Sequence, residues 1–190
     1  MISLNNKKKR GIVFFSAHYG NWELGPIIIK SLGLDPLCVY RKSNNKFVEL
    51  LIQNIRGKNA TYAPKGDIGA KKSYLWLRKG KSLALLMDQK LNEGLSIDFL
   101  GKPAYTASFI ADIAIRMNLD IVPIKFSRDI NNNNIITFYK KINMPKNNIS
   151  KNKKISFILK QVNDVMSQWI KDQPENWLWI HRRWQKDLYV

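Results

Sequence analysis

The sequence contains little cysteine and no long apolar run, and each of these absences excludes a class of protein. Cys38 is the one cysteine among 190 residues, so the chain forms no internal disulfide and contains no Cys-x-x-Cys motif for zinc or redox chemistry. It lies in the apolar run LCVY, where a small buried side chain is expected. The scarcity of cysteine indicates a reducing, cytosolic compartment. No stretch approaches the about 20 apolar residues that a transmembrane helix needs.

Acidic residues are also scarce. Asp and Glu number 14 against 32 Lys and Arg, which gives a formal net charge of +18. An excess of this size predicts an acidic partner, which could be nucleic acid, an anionic membrane surface, or an acidic protein or substrate.

The composition is that of a globular protein. With 190 residues and 45% hydrophobic content, the chain suits one domain over residues 1–190 with a sizeable core, and it is not a disordered chain. Residues 1–10 form a basic tail that is not followed by an apolar h-region, so a signal peptide is not expected here. Residues 128–154 are rich in Asn and Lys and are interpreted as polar loops around one strand.

Short β-rich runs alternate with longer amphipathic runs along the chain. Strands are predicted at residues 12–16, 37–40, 60–63, 82–87, 96–100, 121–126 and 135–142, and helices at residues 22–32, 44–56, 67–79, 109–117 and 155–169. The last two strands are expected to pair through the Asn-rich turn. This alternation predicts an α/β fold with a mostly parallel central sheet flanked by helices. Because sites in such sheets lie at the carboxyl ends of strands, the residues after Ser16, Tyr40 and Met87 are the first candidates.

A histidine follows the first predicted strand, in residues 16–23, which read SAHYGNWE. On a regular helix His18 and Glu23 would lie on different faces, because five residues turn a helix by about 500°. Gly20 allows a bend between them and Asn21 can cap the next helix, so the two side chains can converge. A histidine oriented by a carboxylate is a general base. The alternative is a capped helix that follows a chance histidine.

Three further charged residues lie at ends of predicted elements. Asp88 follows an apolar strand, and it is either a carboxylate of the site or an ordinary residue that ends a strand. Arg41 follows another strand, and Arg56 closes a helix. Each arginine could bind phosphate or could complement a helix end.

The C-terminal residues 177–184 read WLWIHRRW and are rich in tryptophan and arginine. They could form a packed lid, or they could contact a membrane interface or a glycolipid, in which case Trp179 and Trp184 are expected to take part. The common catalytic motifs are missing: the sequence contains no P-loop before a helix, no G-x-S-x-G, no G-x-G-x-x-G and no histidine cluster for a metal. If the protein is an enzyme, the nucleophile therefore belongs to the substrate.

Three segments together resemble the lipid A biosynthesis acyltransferases (the lauroyl and myristoyl transferases), a branch of the lysophospholipid acyltransferase-like superfamily. Residues 16–23 resemble the H-x4-D/E block of that superfamily. Asp88 and Gln89, with FLGKPA at residues 99–104, resemble the D-Q…F-F-G-x-x-A block. Residues 177–184 resemble the closing W-x-W-x-H-R-R-W block.

A fourth segment resembles the arginine block that lies between these motifs. It consists of Tyr40 and Arg41, followed by Arg56 and, three residues later, Asn59, which stands where the family usually has a small residue. The order and spacing of all four segments agree with the family over residues 11–186.

The resemblance implies an acyl transfer without an acyl-enzyme. His18 would take the proton from an acceptor hydroxyl as it attacks a thioester, and Glu23 would hold His18. The substrate-binding residues that it implies are Arg41, Arg56, Asp88, Gln89, Arg182 and Arg183. The donor would be an acyl carrier protein or acyl-CoA thioester and the acceptor a phosphorylated glucosamine disaccharide, and no metal or other cofactor is expected.

The resemblance also carries an expectation about the membrane. Family members have a further N-terminal portion with a membrane anchor, which is expected to be missing here, so the chain would be peripheral on the cytoplasmic face of the bacterial inner membrane. Two alternatives stay open: an inactive member of the superfamily that acts as a basic membrane scaffold, and a nucleic-acid-binding module. The sequence shows no helix-turn-helix or RNP-like block, so nucleic acid is not the expected partner.

Overall fold

The computed structural model describes residues 11–57 and 59–189, so the predicted basic tail at residues 1–10 lies outside the described residues. The fold is α/β, with a mostly parallel six-stranded mixed sheet flanked by helices and a separate two-stranded sheet. This confirms the predicted fold class. The described residues divide into two compact units, one formed by residues 11–13 and 23–85 and the other by residues 14–22 and 86–189. The single-domain boundary 1–190 stays a prediction.

The strands are β1 (Ile12–Ser16), β2 (Pro36–Tyr40), β3 (Thr61–Pro64), β4 (Ser82–Leu86), β5 (Leu95–Phe99), β6 (Lys102–Thr106), β7 (Asp120–Arg128) and β8 (Asn134–Phe138). The helices are α1 (Gly25–Ser31), α2 (Lys46–Arg56), α3 (Asp67–Arg78), α4 (Phe109–Met117) and α5 (Lys151–Asp172), and short 3-10 turns occur at Trp22–Leu24, Pro174–Asn176 and Lys186–Tyr189.

The first unit is built around β2, which pairs in parallel with β3 on one side and with β4 on the other. Leu37, Ala63 and Leu83 lie on these three strands and are fully buried. Strands that are covered on both faces typically have continuous runs of apolar residues. Cys38 is also buried, and that burial raises the pKa of its thiol to about 12. Cys38 is therefore the small buried side chain that the sequence predicted.

The second unit contains two antiparallel pairs, β5 with β6 and β7 with β8. The pairing of β7 with β8 through the Asn-rich turn confirms the prediction. Helix α5 packs against β5 and α4, and its apolar face at Ile158, Leu159 and Met166 is fully buried. The core of this unit is thus closed by the long C-terminal helix.

Two local predictions were wrong. The helix predicted at residues 22–32 begins only at Gly25, after a 3-10 turn, because Pro26 lacks an amide hydrogen and is accommodated in the first helical turn. Strand β6 was missed, because the tight turn before it places Leu100 at φ 55° beside Gly101 at φ 80°. Hairpin turns are usually recognised by Gly, Asn or Asp at the positions of positive φ, and here a leucine occupies one of these positions.

None of the helices in the described part of the chain has the length and apolarity needed to cross a membrane.

The loop that follows β1 depends on one glycine. Gly20 has φ 55°, and a Cβ placed on it would lie 2.2 Å from the carbonyl oxygen of Phe126. Its amide donates to the carbonyl oxygen of Asn176 at 2.8 Å. Any larger residue would therefore force the loop away from β7.

We expect Gly20→Ala to destabilise the protein by clearly more than Gly101→Ala. At Gly101 a Cβ meets nothing within 4 Å, so that variant carries only the cost of its positive φ, about 1–2 kcal/mol. Gly20→Ala adds a collision with the backbone. Urea unfolding of both variants measures the difference, and equal losses would show that the loop relaxes freely.

Candidate active site

Two loops at the carboxyl ends of β1 and β4 form the candidate site. His18 and Asp88 each lie two residues beyond the end of their strand. The amide of Met87 donates to the carbonyl oxygen of Ser16 at 2.9 Å, which holds the two strand ends side by side. As a result Nδ1 of His18 lies 2.8 Å from Oδ1 of Asp88.

The Asp88 carboxylate is buried and takes part in three hydrogen bonds. Its Oδ2 accepts from the backbone amide of His18 at 3.1 Å and from the indole Nε1 of Trp177 at 2.9 Å. Burial alone would raise the pKa of Asp88, but the hydrogen bonds and charge of His18, with the bond from Trp177, bring it below its ordinary value. Asp88 is therefore an ionised acceptor at neutral pH.

The ionised state of Asp88 determines which nitrogen of His18 carries the proton. A carboxylate can only accept hydrogen bonds, so Nδ1 of His18 is the donor. Nε2, the nitrogen that Asp88 does not engage, can then take up a proton. This is the arrangement in which a carboxylate orients a histidine as a general base.

A cleft of about 170 Å³ lies in front of this pair. His18, whose side chain is 21% exposed, lines the cleft, whereas the Asp88 side chain is only 3% exposed. Trp22 contacts the imidazole edge to face at 5.2 Å between ring centres. Gln89 and His181 also line the cleft. Asp88 also lines the cleft, so the partly exposed imidazole and its buried carboxylate partner both border it.

The C-terminal segment forms one wall of this cleft. The amide of Leu178 donates to the carbonyl oxygen of His18 at 2.7 Å, and Trp177 pairs with Tyr19 in an antiparallel bridge. Trp177 stacks on Trp179 at 5.5 Å. The tryptophan-rich segment is thus tied to the histidine loop by backbone and side-chain bonds.

The carboxylate bonded to His18 in the structure is Asp88, where the sequence predicted Glu23. Glu23 lies in the 3-10 turn before α1, and its carboxylate accepts hydrogen bonds from Nε and Nη2 of Arg56. Asp88, not Glu23, is the carboxylate that contacts the imidazole. The spacing of the motif predicted the wrong partner, because the true partner is 70 residues away along the chain. A catalytic role for Glu23 stays a prediction.

Arg183, which the sequence predicted as a substrate-binding residue, lies in the interior of this structure. Arg183 is 1% exposed, and it donates to the carbonyl oxygen of Tyr105 at 2.8 Å and to Oγ1 of Thr106 at 2.7 Å. Its guanidinium lies 4.6 Å from the ring centre of Phe99. Burial lowers the pKa of Arg183 to about 10. In this structure the residue therefore holds β6 in place, and substrate binding by Arg183 stays a prediction.

Trp184 is buried, whereas the sequence predicted that it contacts a membrane interface or a glycolipid. It is 8% exposed and donates from Nε1 to the carbonyl oxygen of Phe99 at 3.2 Å. Trp179 is 52% exposed, so its predicted contact with lipid stays a prediction. Substrate binding by the exposed Arg41 and Arg182 stays a prediction as well.

The structure adds Trp177 as a site residue that the sequence reasoning did not single out. Its indole nitrogen bonds to Asp88, yet in the sequence it is one of three tryptophans within residues 177–184 with no feature that distinguishes it. Among the described residues, no group of three or more His, Cys, Asp or Glu is arranged to hold a metal ion.

A model of the family described as bacterial lipid A biosynthesis acyltransferase matches residues 1–186 of the chain. No curated protein matches it.

We expect Asp88→Asn to change how the stability of the protein depends on pH. Because the pKa of Asp88 is lower in the folded than in the unfolded protein, its ionisation stabilises the fold above the ordinary pKa of 3.8. That contribution is lost as the pH falls through the lower, folded value. Urea unfolding at a series of pH values should show the wild-type advantage over Asp88→Asn shrinking with acid. A difference that stays constant would mean that Asp88 is not held ionised.

Proposed function

The chain belongs to the bacterial lipid A biosynthesis acyltransferase family, and from this we propose that it moves a fatty acyl chain from a thioester donor to a hydroxyl of a lipid A precursor. The observation that carries the proposal is the hydrogen bond between His18 and the buried Asp88, with the imidazole facing a cleft. We propose acyl carrier protein or CoA as the carrier of the donor and a phosphorylated glycolipid as the acceptor.

The proposed reaction is a direct transfer in which His18 acts as the base. Nε2 takes the proton of the acceptor hydroxyl while its oxygen attacks the thioester carbonyl carbon. A new ester C–O bond forms, the C–S bond breaks, and the sulfur leaves as a thiolate that receives the proton from the imidazolium. No acyl-enzyme is formed and no metal or other cofactor is required.

Asp88 contributes through His18. Its charge stabilises the imidazolium that forms during the transfer, and its bond to Nδ1 keeps Nε2 directed away from the carboxylate. Trp177 and the His18 amide hold the second oxygen of the carboxylate. Asp88 and Trp177 are thus positioning residues in this proposal.

The phosphates of the acceptor and the anionic donor require cations, and exposed arginines supply them. Arg41 and Arg182 are exposed, and Arg56 is partly exposed beside Glu23. We propose that these three arginines bind phosphate oxygens, because a guanidinium matches phosphate geometry. Gln89 lines the cleft with His18 and would contact the substrate there.

The net charge of +18 supports a location on an anionic surface. We propose that the protein works at the cytoplasmic face of the bacterial inner membrane, where its acceptor would be embedded.

We expect His18→Ala to lower acyl transfer by about a hundred- to ten-thousandfold, the usual contribution of a general base, without unfolding the protein. The measurement is mass spectrometry of lipid A from cells that express the wild type or a variant: the wild type should add one acyl group and His18→Ala none. His181→Ala is the matched control, because His181 lines the same cleft but makes no bond to Asp88.

Full activity of His18→Ala would remove the proposed mechanism. Unchanged lipid A in cells that express the wild type at normal levels would contradict the proposed function itself.

We expect the effects of Glu23→Gln and Arg56→Gln on acyl transfer to be non-additive. The two side chains are bonded to each other, so either single substitution already breaks their interaction. The second substitution should therefore cause little further loss of activity. The kcat/KM values of both single variants and of the double variant complete the cycle. Additive losses would show that the two residues act independently.

A further inference from the structure

Helix α2 turns its polar face inward. Its one acidic residue, Glu49, is 5% exposed and accepts hydrogen bonds from the amide of Ser43 at 2.8 Å and from Nε2 of Gln53 at 2.7 Å, as well as from the hydroxyl of Tyr40. Asn45 caps the start of the helix. The side of α2 that contacts the rest of its unit is therefore held by polar bonds.

The apolar face of α2 points outward. This face is defined by residues that recur every three or four positions along the helix: Phe47, Val48, Leu50, Leu51 and Ile55. All five are exposed, Phe47 to 85% and Ile55 to 63%. An amphipathic helix on the surface of a globular protein normally buries such a stripe, so the α2 apolar face needs a covering partner.

Cations surround the start of this face and no exposed acid of α2 opposes them. Arg41, Lys42 and Lys46 are exposed just before and at the beginning of the helix. The carboxylate of Glu49 is turned inward and hydrogen bonded, and among these cations it attracts Lys42. The partner that covers the face must therefore be both apolar and anionic.

We propose that the α2 apolar face inserts into the interface of an anionic lipid bilayer, with Lys42 and Lys46 on the lipid phosphates. A helix with an apolar stripe and a basic flank lies in the plane of the interface, which 11 residues allow and which does not require a span. A second copy of a chain with a charge of +18 would be repelled at this face. Nucleic acid would pair with the cations but would leave the apolar stripe uncovered.

Flotation of the full chain with vesicles tests the proposal. The wild type should float with vesicles of phosphatidylcholine mixed with phosphatidylglycerol, bind pure phosphatidylcholine vesicles much more weakly, and lose binding as salt rises. The double variant Phe47→Ser, Leu51→Ser should lose affinity on the order of tenfold or more, because two apolar side chains no longer insert. Lys42→Gln and Lys46→Gln should each lower affinity about fivefold.

Ile130→Ser is the matched control, because Ile130 is 99% exposed on a turn of the other unit and has no part in the α2 apolar face. It should bind as the wild type does. Equal binding by the wild type and by the Phe47→Ser, Leu51→Ser variant would overturn the proposal. The proposal would also be overturned if the wild type did not bind the vesicles and eluted as a dimer, while the Phe47→Ser, Leu51→Ser variant eluted as a monomer. None of these measurements depends on acyl transfer, so their failure is separate from failure of the proposed function.

Discussion

The buried carboxylate of Asp88 is the group on which the rest of the site depends. An unpaired charge in the interior costs several kcal/mol, so this position requires donors on both oxygens. The donors come from His18, through its ring and its amide, and from Trp177, which belongs to the C-terminal segment. The ends of two strands and the last part of the chain are thereby tied to one acceptor. A substitution that removes one of these donors would leave the buried charge with fewer hydrogen bonds. The same substitution would also position His18 less firmly.

This arrangement gives the C-terminal segment a different role from the one that its composition suggests. Trp177 holds Asp88, Trp184 bonds to the backbone of Phe99, and Arg183 bonds to the backbone and hydroxyl groups of β6. These three residues therefore support the site from within, whereas Leu178, Trp179 and Ile180 of the same segment are exposed. A larger run of exposed apolar side chains, with basic residues beside it, belongs to α2 in the other unit. The proposed chemistry and the proposed membrane contact then involve different parts of the chain.

Sequence patterns identified the two strand ends of the site but not the contact between them. His18 and Asp88 were both predicted as candidates, because the carboxyl ends of neighbouring strands meet at one edge of a sheet. The partner of His18 was predicted wrongly, since the spacing of a motif describes neighbours along the chain and the true contact spans 70 positions. Periodicity likewise identified α2 as a helix with an apolar stripe. It did not reveal that the stripe faces outward, because a periodic pattern defines a face without defining its direction. The burial of Arg183 was hidden for a related reason: charge alone predicts exposure, and its hydrogen-bond partners come from a strand that the sequence did not show.

The central claim is that Asp88 holds His18 with the proton on Nδ1, and nitrogen NMR of the imidazole tests it most directly. The chain contains only two histidines, His18 and His181, so a His181→Ala variant assigns the signals. At a pH where the ring is neutral, the account predicts a protonated Nδ1 and an unprotonated Nε2 for His18, and a loss of this preference in Asp88→Asn. A proton on Nε2, or a tautomer mixture that Asp88→Asn leaves unchanged, would contradict the account.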